Sequence, residues 1–391
     1  QTTAERSDSV AVIGIGLRLH DAKSLWELKN VFANKTDCVR DLPTNRKDDL
    51  VQYLSYLGIQ EESYEISEAA FLDRIDTFDY KFFKITKSEA ELTDPYHRIL
   101  LETAHHAFED SGYKKEDIQG RNIGVYIGQP HSTNYYDKIK RIKPEMAVIA
   151  GPGNVDSIMA GRIAYYYDLK GPSMMVNTAC SSSLSALYLA CQAIRSGEIE
   201  MGLVGGINII IDPSSNYNAP IPDITPRART FSEDSDGTGR GEGCIVILVK
   251  QYDKAVQDRD NIYAVIKGAE LNNDGKSIGI TAPNVNMQEK AVQNALERAG
   301  ISPEEIGYVE THGTGTKLGD PIEVAALTNV FRRFTDKKQF CALGAAKTNY
   351  GHLDSSAGLL GFEKAVACLQ YKIILPNINM TYPNNKTDFI H

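Results

Sequence analysis

Three short stretches of this chain place reactive side chains just beyond an apolar run. The first, Val176-Asn177-Thr178-Ala179-Cys180-Ser181-Ser182-Ser183-Leu184, carries a thiol between an apolar strand and an almost wholly apolar helix. A thiol at a helix N-terminus feels unpaired N–H groups and the positive end of the helix dipole, so Cys180 is expected to favour the nucleophilic thiolate. The three serines are expected to cap that helix. A free cysteine in apolar surroundings is more often an inert core residue, which is the expectation for Cys38, Cys191, Cys244, Cys341 and Cys368. In the second stretch, Tyr308-Val309-Glu310-Thr311-His312-Gly313-Thr314-Gly315-Thr316, a strand ends beside His312, whose ring exchanges hydrogen bonds near neutral pH. Its glycines let the backbone approach a ligand, and Thr314 and Thr316 present hydroxyls that would equally cap the turn before Pro321. The third stretch, Lys347-Thr348-Asn349-Tyr350-Gly351-His352, again follows a strand and precedes a helix. Open α/β sheets bind ligands at the carboxyl ends of their strands, so three reactive side chains at three equivalent ends mark a site.

The elements that must hold these residues alternate along the whole chain. Apolar runs such as Val10-Ala-Val-Ile-Gly-Ile15 read as buried strands between amphipathic helices, an α/β pattern. Helices are expected over 24–32, 89–111, 157–167, 183–196, 287–299, 321–334 and 355–371. Strands are expected over 123–128, 173–178, 201–211, 244–250, 263–271, 307–310 and 340–346. Residues 37–87 read as a polar excursion, 212–230 as a loop, and 251–260 as a charged boundary between two halves.

The 391 residues carry 42 Lys and Arg against 51 Asp and Glu, a net charge of −9. That balance argues against nucleic acid as the partner. Six cysteines without paired CxxC spacing read as reduced thiols in a cytoplasmic protein. Mean hydropathy is −0.31, no apolar run approaches a membrane span, and the polar start shows no signal peptide.

The blocks Thr178–Leu184, Glu310–Thr316 with Gly319-Asp-Pro-Ile-Glu323, and Lys347–His352 closely resemble the three signature blocks of β-ketoacyl synthases. Supporting blocks are Gly161-Arg-Ile-Ala-Tyr165, Gly171-Pro-Ser173, Asp236-Gly237 with Arg240-Gly-Glu-Gly243, and Thr281-Ala-Pro-Asn284. Spanning about 10–384, the likeness is to the ketosynthase domain of a bacterial modular polyketide synthase. It implies a thiolase-like fold, a five-layer α-β-α-β-α sandwich of two related halves, here 8–255 with the nucleophile and 256–391 with both histidines. It also implies an acyltransferase: Cys180 takes an acyl chain and extends it by decarboxylative Claisen condensation with a malonyl-type unit. His312 and His352 would stabilise the developing charge, with Lys347 organising the site. Thr314 and Thr316 would contact the pantetheine arm, and Glu323 and Asn349 would support the site, Glu323 as an ion-pair partner of Lys347. No metal or bound cofactor is implied; substrates ride on the 4'-phosphopantetheine of an acyl carrier protein. Partners would be carrier proteins, neighbouring synthase domains and a second copy in a homodimer.

Departures from the family pattern are Asn177 for Asp, Tyr188 for His, and Asp354-Ser355-Ser356 for Glu-Ala-Ala; none removes a reacting group. The family's C-terminal Gly-Phe-Gly-Gly-type loop, which completes the oxyanion hole, is missing, an absence worth about 10²–10³ in rate. The expectation is that further sequence supplies it. Two other readings are a non-elongating synthase, which commonly lacks one histidine, and a scaffold that only docks carrier proteins. His97, His105 and His106 are expected to be structural, and Lys138–Lys143 (KIKRIK) to be a solvated loop or a carrier-docking patch.

Overall fold

The computed structural model describes residues 8–60, 64–130, 134–213, 225–277, 279, 282–387 and 389. In the first half the order is β1 (Val10–Arg18), α1 (Leu25–Ala33), α2 (Thr44–Tyr56), α3 (Lys87–Leu92), α4 (Pro95–Asp110), α5 (Lys115–Ile118), β2 (Ile123–Gly128), α6 (Tyr135–Ile142) and α7 (Ala147–Ala150). There follow α8 (Asp156–Tyr167), β3 (Ser173–Val176), α9 (Ser182–Ser196), β4 (Met201–Asn208), β5 (Gly243–Gln251) and α10 (Tyr252–Asp258). The remainder is β6 (Ala264–Ile266), α11 (Val285–Ala299), β7 (Tyr308–Glu310), α12 (Gly319–Phe331), β8 (Ala342–Gly344), α13 (Lys347–Tyr350) and α14 (Ala357–Tyr371).

Six strands form one sheet in the order β3-β2-β4-β5-β1-β6, with β2, β3 and β4 parallel and β5 antiparallel to both β4 and β1. Every residue of β2, β4 and β5 is buried, as expected for strands covered on both faces. One apolar cluster lies between the sheet and α1, α9 and α14, the other between the sheet and α4 and α8. Among the described residues the second sheet is only the parallel pair β7-β8. These packed layers of helix and sheet are in keeping with the expected α/β sandwich.

Several expectations change at their edges. The helix expected over 89–111 is two, because Pro95 cannot donate into a preceding turn and Asp94 caps a fresh start by accepting the Tyr96 N–H at 2.8 Å. The polar excursion contains the 13-residue α2. The charged boundary stretch is largely a helix, α10. Of the strand expected over 263–271, only 264–266 pairs, and it pairs antiparallel with β1 in the first sheet. Most of the 212–230 loop, together with Thr281, lies outside the described residues.

Candidate active site

Cys180 sits where β3 is wrenched into α9. Ala179 holds φ +55, a left-handed conformation that costs an L-residue about 1 kcal/mol, and Thr178 bridges back onto Cys180. Side chains hold the turn: Thr178 N–H donates to Ser182 Oγ at 2.9 Å, and Ala179 N–H to Asn177 Oδ1 at 3.2 Å. The serines therefore do not cap α9 as expected. Ser181 makes no side-chain bond to the helix N–H groups, Ser182 ties the turn, and Ser183 Oγ accepts the Leu359 N–H of α14 at 3.2 Å. The thiolate expectation is also corrected. Burial pushes the Cys180 thiol above its ordinary value, and the nearby Lys347 charge only opposes that rise. Burial raises Cys38 and Cys244 to about 12 and Cys191 and Cys341 to about 11, in keeping with inert thiols.

His312 follows β7, and its peptide groups are clamped from both sides. Its N–H donates to Glu323 Oε1 at 2.6 Å and the Gly313 N–H to Oε2 at 2.9 Å, while its carbonyl accepts from Lys347 Nζ at 2.6 Å. The expected Glu323–Lys347 ion pair is therefore not a contact pair. The two charges grip opposite ends of one residue, and Glu323 is still foremost among the charges sustaining the buried ammonium. Gly313 and Gly315 adopt φ +48 and +72, and a side chain at Gly315 would stand 2.9 Å from the Gly237 carbonyl. Asp320 accepts N–H groups from Phe231 and Gly315, and Thr230 donates to the Gly313 carbonyl. Thr314 and Thr316 share a hydroxyl contact at 3.2 Å, and Thr316 Oγ1 accepts the Gly319 N–H at 3.1 Å, so the capping role expected of the pair is filled by Thr316.

His352 is set by a turn at Gly351, φ +65, and by its N–H bond to the Gly239 carbonyl at 2.7 Å. Its Nδ1 accepts the Asp354 N–H at 2.8 Å. A neutral ring so bonded carries its proton on Nε2 and is a donor there. Asn349 lies outside this group of contacts: its amide donates to the Thr36 carbonyl at 2.8 Å and fixes the segment after α1.

The three reactive groups converge. Cys180 Sγ lies 3.9 Å from His312 Nε2, and one atom each of Cys180, His312 and His352 fall within 4.8 Å of one another. The rings stand edge to face, 5.8 Å apart. The Lys347 charge, then burial, lowers His312 to about 3, although one edge of its ring is open to the site; burial, then Lys347, puts His352 well below its ordinary value. Both rings are thus neutral at neutral pH, His352 a donor through Nε2, and they face a thiol with a buried ammonium behind. Sulfur and rings are compact enough to ligate a metal ion, but ligation through His352 Nε2 would move its proton to Nδ1 and break the bond from Asp354.

Sequence reading missed Glu310, whose carboxylate accepts the Ala346 N–H and pairs with buried Lys364 at 3.4 Å. Its place one residue before Thr311-His312 was the available signal. Asp320 was missed too, although it stands in the Gly-Asp-Pro block. His97 is buried; His105 bonds Tyr167 at 2.8 Å and pairs with Glu109 at 3.2 Å, a carboxylate contact that reading overlooked. Lys138–Ile142 lies on the helix α6 rather than in a loop.

Comparison with known proteins adds to this geometry. Residues 7–255 match the family model described as beta-ketoacyl synthase, N-terminal domain, and 263–381 the C-terminal domain. The chain is 40% identical to polyketide synthase PksL of Bacillus subtilis over 98% of its own length, which is 8% of that protein. It is 39% identical to a mycocerosic acid synthase-like polyketide synthase of Mycolicibacterium smegmatis, covering 95% of this chain and 18% of that one. Among solved structures, the ketosynthase from module 6 of the bacillaene synthase of Bacillus subtilis superposes with a TM-score of 0.87 at 38% identity, covering 98% of this chain and 65% of that one. Ketosynthase twelve of the Bacillus amyloliquefaciens bacillaene synthase gives 0.86 at 35%, over 98% and 66%.

Proposed function

The chain belongs to the β-ketoacyl synthase family, and from that premise we propose that it is the elongating ketosynthase of a bacterial polyketide assembly line. The observation that carries this reading is the 3.9 Å approach of Cys180 Sγ to His312 Nε2 with His352 alongside. Cys180 sulfur attacks the acyl carbon of a carrier-bound phosphopantetheine thioester, and the carrier thiol leaves with the proton. The malonyl-type unit then loses its carboxylate as CO2. The freed electron pair spreads onto the thioester oxygen, where Nε2–H donors of His312 and His352 meet the developing charge. The enolate carbon bonds to the acyl carbon as the carbon–sulfur bond to Cys180 breaks. Lys347 and Glu323 are positioning residues that hold His312, and Thr314 and Thr316 face the pantetheine arm. Residues 8–255 supply the nucleophile and 256–391 both histidines.

Carrier proteins, neighbouring synthase domains and a second copy are the partners of this reading, and the cytoplasm its place. The edge strand β3, with Ser173 and Met174 exposed, supports pairing with a second copy. Among the described residues no helix is long and apolar enough to cross a membrane.

Mass spectrometry of the protein incubated with an acyl thioester and malonyl carrier protein tests the reading. Cys180→Ala is expected to take up no acyl group. His312→Ala should acylate yet condense about 10²–10³-fold more slowly. Unchanged product from either variant would overturn it.

A further inference from the structure

A cavity of about 360 Å³ lies away from Cys180, walled by α2, α6 and the α3–α4 corner. That volume falls in the range of small-molecule sites. Its walls are largely apolar, with Leu50, Leu92, Ile139 and Ile142 among them; of its charged groups Arg46 is held by Glu242, which leaves Arg98, Lys138 and Lys143 against Asp49, Asp76 and Glu91.

Arg98 is the unusual member. Only 7% of it is exposed, and its guanidinium donates one hydrogen bond, to the main-chain carbonyl of Asp76 at 3.0 Å. Its Nε is buried without a hydrogen-bond partner. Each nearby carboxylate is occupied: Asp76 by Arg74, Glu102 by Arg18, and Asp94 by the Tyr96 N–H. Of the cavity's other acids, Glu91 pairs with Lys87 at 3.7 Å and Asp49 is exposed. Burial lowers the Arg98 guanidinium from its ordinary value, and the charges of Asp94, Asp76 and Glu102 only oppose that fall. A buried guanidinium normally has an anionic partner, because leaving its charge uncompensated is costly.

Two further cations stand on α6 or just beyond it. Lys138 lies over the Tyr53 ring at 4.1 Å and 3.8 Å from Asp212, and Lys143, one residue past α6, is exposed. A ligand with an apolar body and one anionic head would satisfy both the walls and the cation.

We propose that this cavity binds an amphiphilic monoanion, its apolar chain between α2 and α6 and its carboxylate or phosphate head on Arg98. The site is separate from the condensing centre and needs none of its residues.

Calorimetric titration with decanoate, decyl phosphate and decanol tests the proposal, on protein whose Cys180 has first been alkylated to close the catalytic centre. Both anions are expected to bind and decanol to bind at least about tenfold more weakly, since it offers no charge to the guanidinium. The stronger of the two anions identifies the head group. Arg98→Met should weaken the anions about tenfold and leave decanol unchanged. Because a buried substitution can fail to fold, Ile142→Glu provides the second variant: Ile142 is 51% exposed, and a carboxylate there should repel both anions. Equal binding of decanol and decanoate, unaltered anion binding in either variant, or no anion binding to the alkylated protein would each overturn the proposal.

Discussion

The two sheets among the described residues carry opposite burdens. In the first, every residue of β2, β4 and β5 is buried, and two apolar clusters sandwich the strands. In the second, β7 and β8 are a half-buried pair of three-residue strands. Yet the second sheet launches His312 and the segment through α13 that carries Lys347 and His352, whereas the first contributes Cys180 just beyond its exposed edge strand β3. The difference teaches that this site is fixed less by burial of its strands than by charged clamps on their ends. Glu323 and Lys347 hold His312, and Glu310 holds Ala346.

The sharpest way to break that contrast is to cut cavities in both sheets. Ile247→Ala, in the fully buried β5, should lower unfolding free energy by about 2–5 kcal/mol, and Leu343→Ala in β8 by about 1 kcal/mol, both read by urea denaturation. Equal losses would erase the distinction between a packed scaffold and a clamped one.

Removing a clamp should cost chemistry instead. Lys347→Met is expected to slow condensation about 10²-fold, in the range of other lost electrostatic contacts in active sites. Because the Lys347 charge opposes the rise of the Cys180 thiol, the pH profile of Cys180 alkylation should move to higher pH in this variant. The same charge is the first cause of the low His312 value, so that ring should titrate closer to 6.5 by NMR.

Helix α14 packs between the two regions, and its Glu363 is wholly buried with neither carboxylate oxygen hydrogen-bonded. Burial, with the Asp110 charge behind it, raises this carboxyl to about 8. A folded value above the unfolded one means that the native chain keeps a proton the unfolded chain releases. Stability is therefore full below about 4.5 and falls as pH rises to about 8. Glu363→Gln should match the parent near pH 4 and be about 4 kcal/mol more stable at pH 8 by denaturant titration. A pH-independent difference would show that Glu363 does not hold its proton.

The smallest effect belongs to Ser181. A helix cap would be worth about 1 kcal/mol. Its hydroxyl instead donates to Thr178 at the surface, so Ser181→Ala should change stability by less than about 0.5 kcal/mol on thermal unfolding. A loss of 1 kcal/mol would restore the cap.

Much of this fold was legible because strand and helix patterns are local: Val10–Arg18, Ile123–Gly128 and Gly243–Gln251 announce themselves as apolar runs. The break at Pro95 was legible too and was passed over. The pairing of Ala264–Ile266 with β1 was not, since a strand's neighbour is chosen by distant residues.

The sequence by itself determined which residues can react: Cys180, His312 and His352 each follow an apolar run at a turn that glycine or strain makes sharp. Only the tertiary structure decided their state. Desolvation and the charge of Lys347 are properties of the packed surroundings, and they reversed the thiolate expectation while making both rings neutral. It also turned Glu323 and Lys347 from an expected ion pair into two hands on one histidine, because α12 and α13 bring them to His312 only when the loop after β7 folds against both helices.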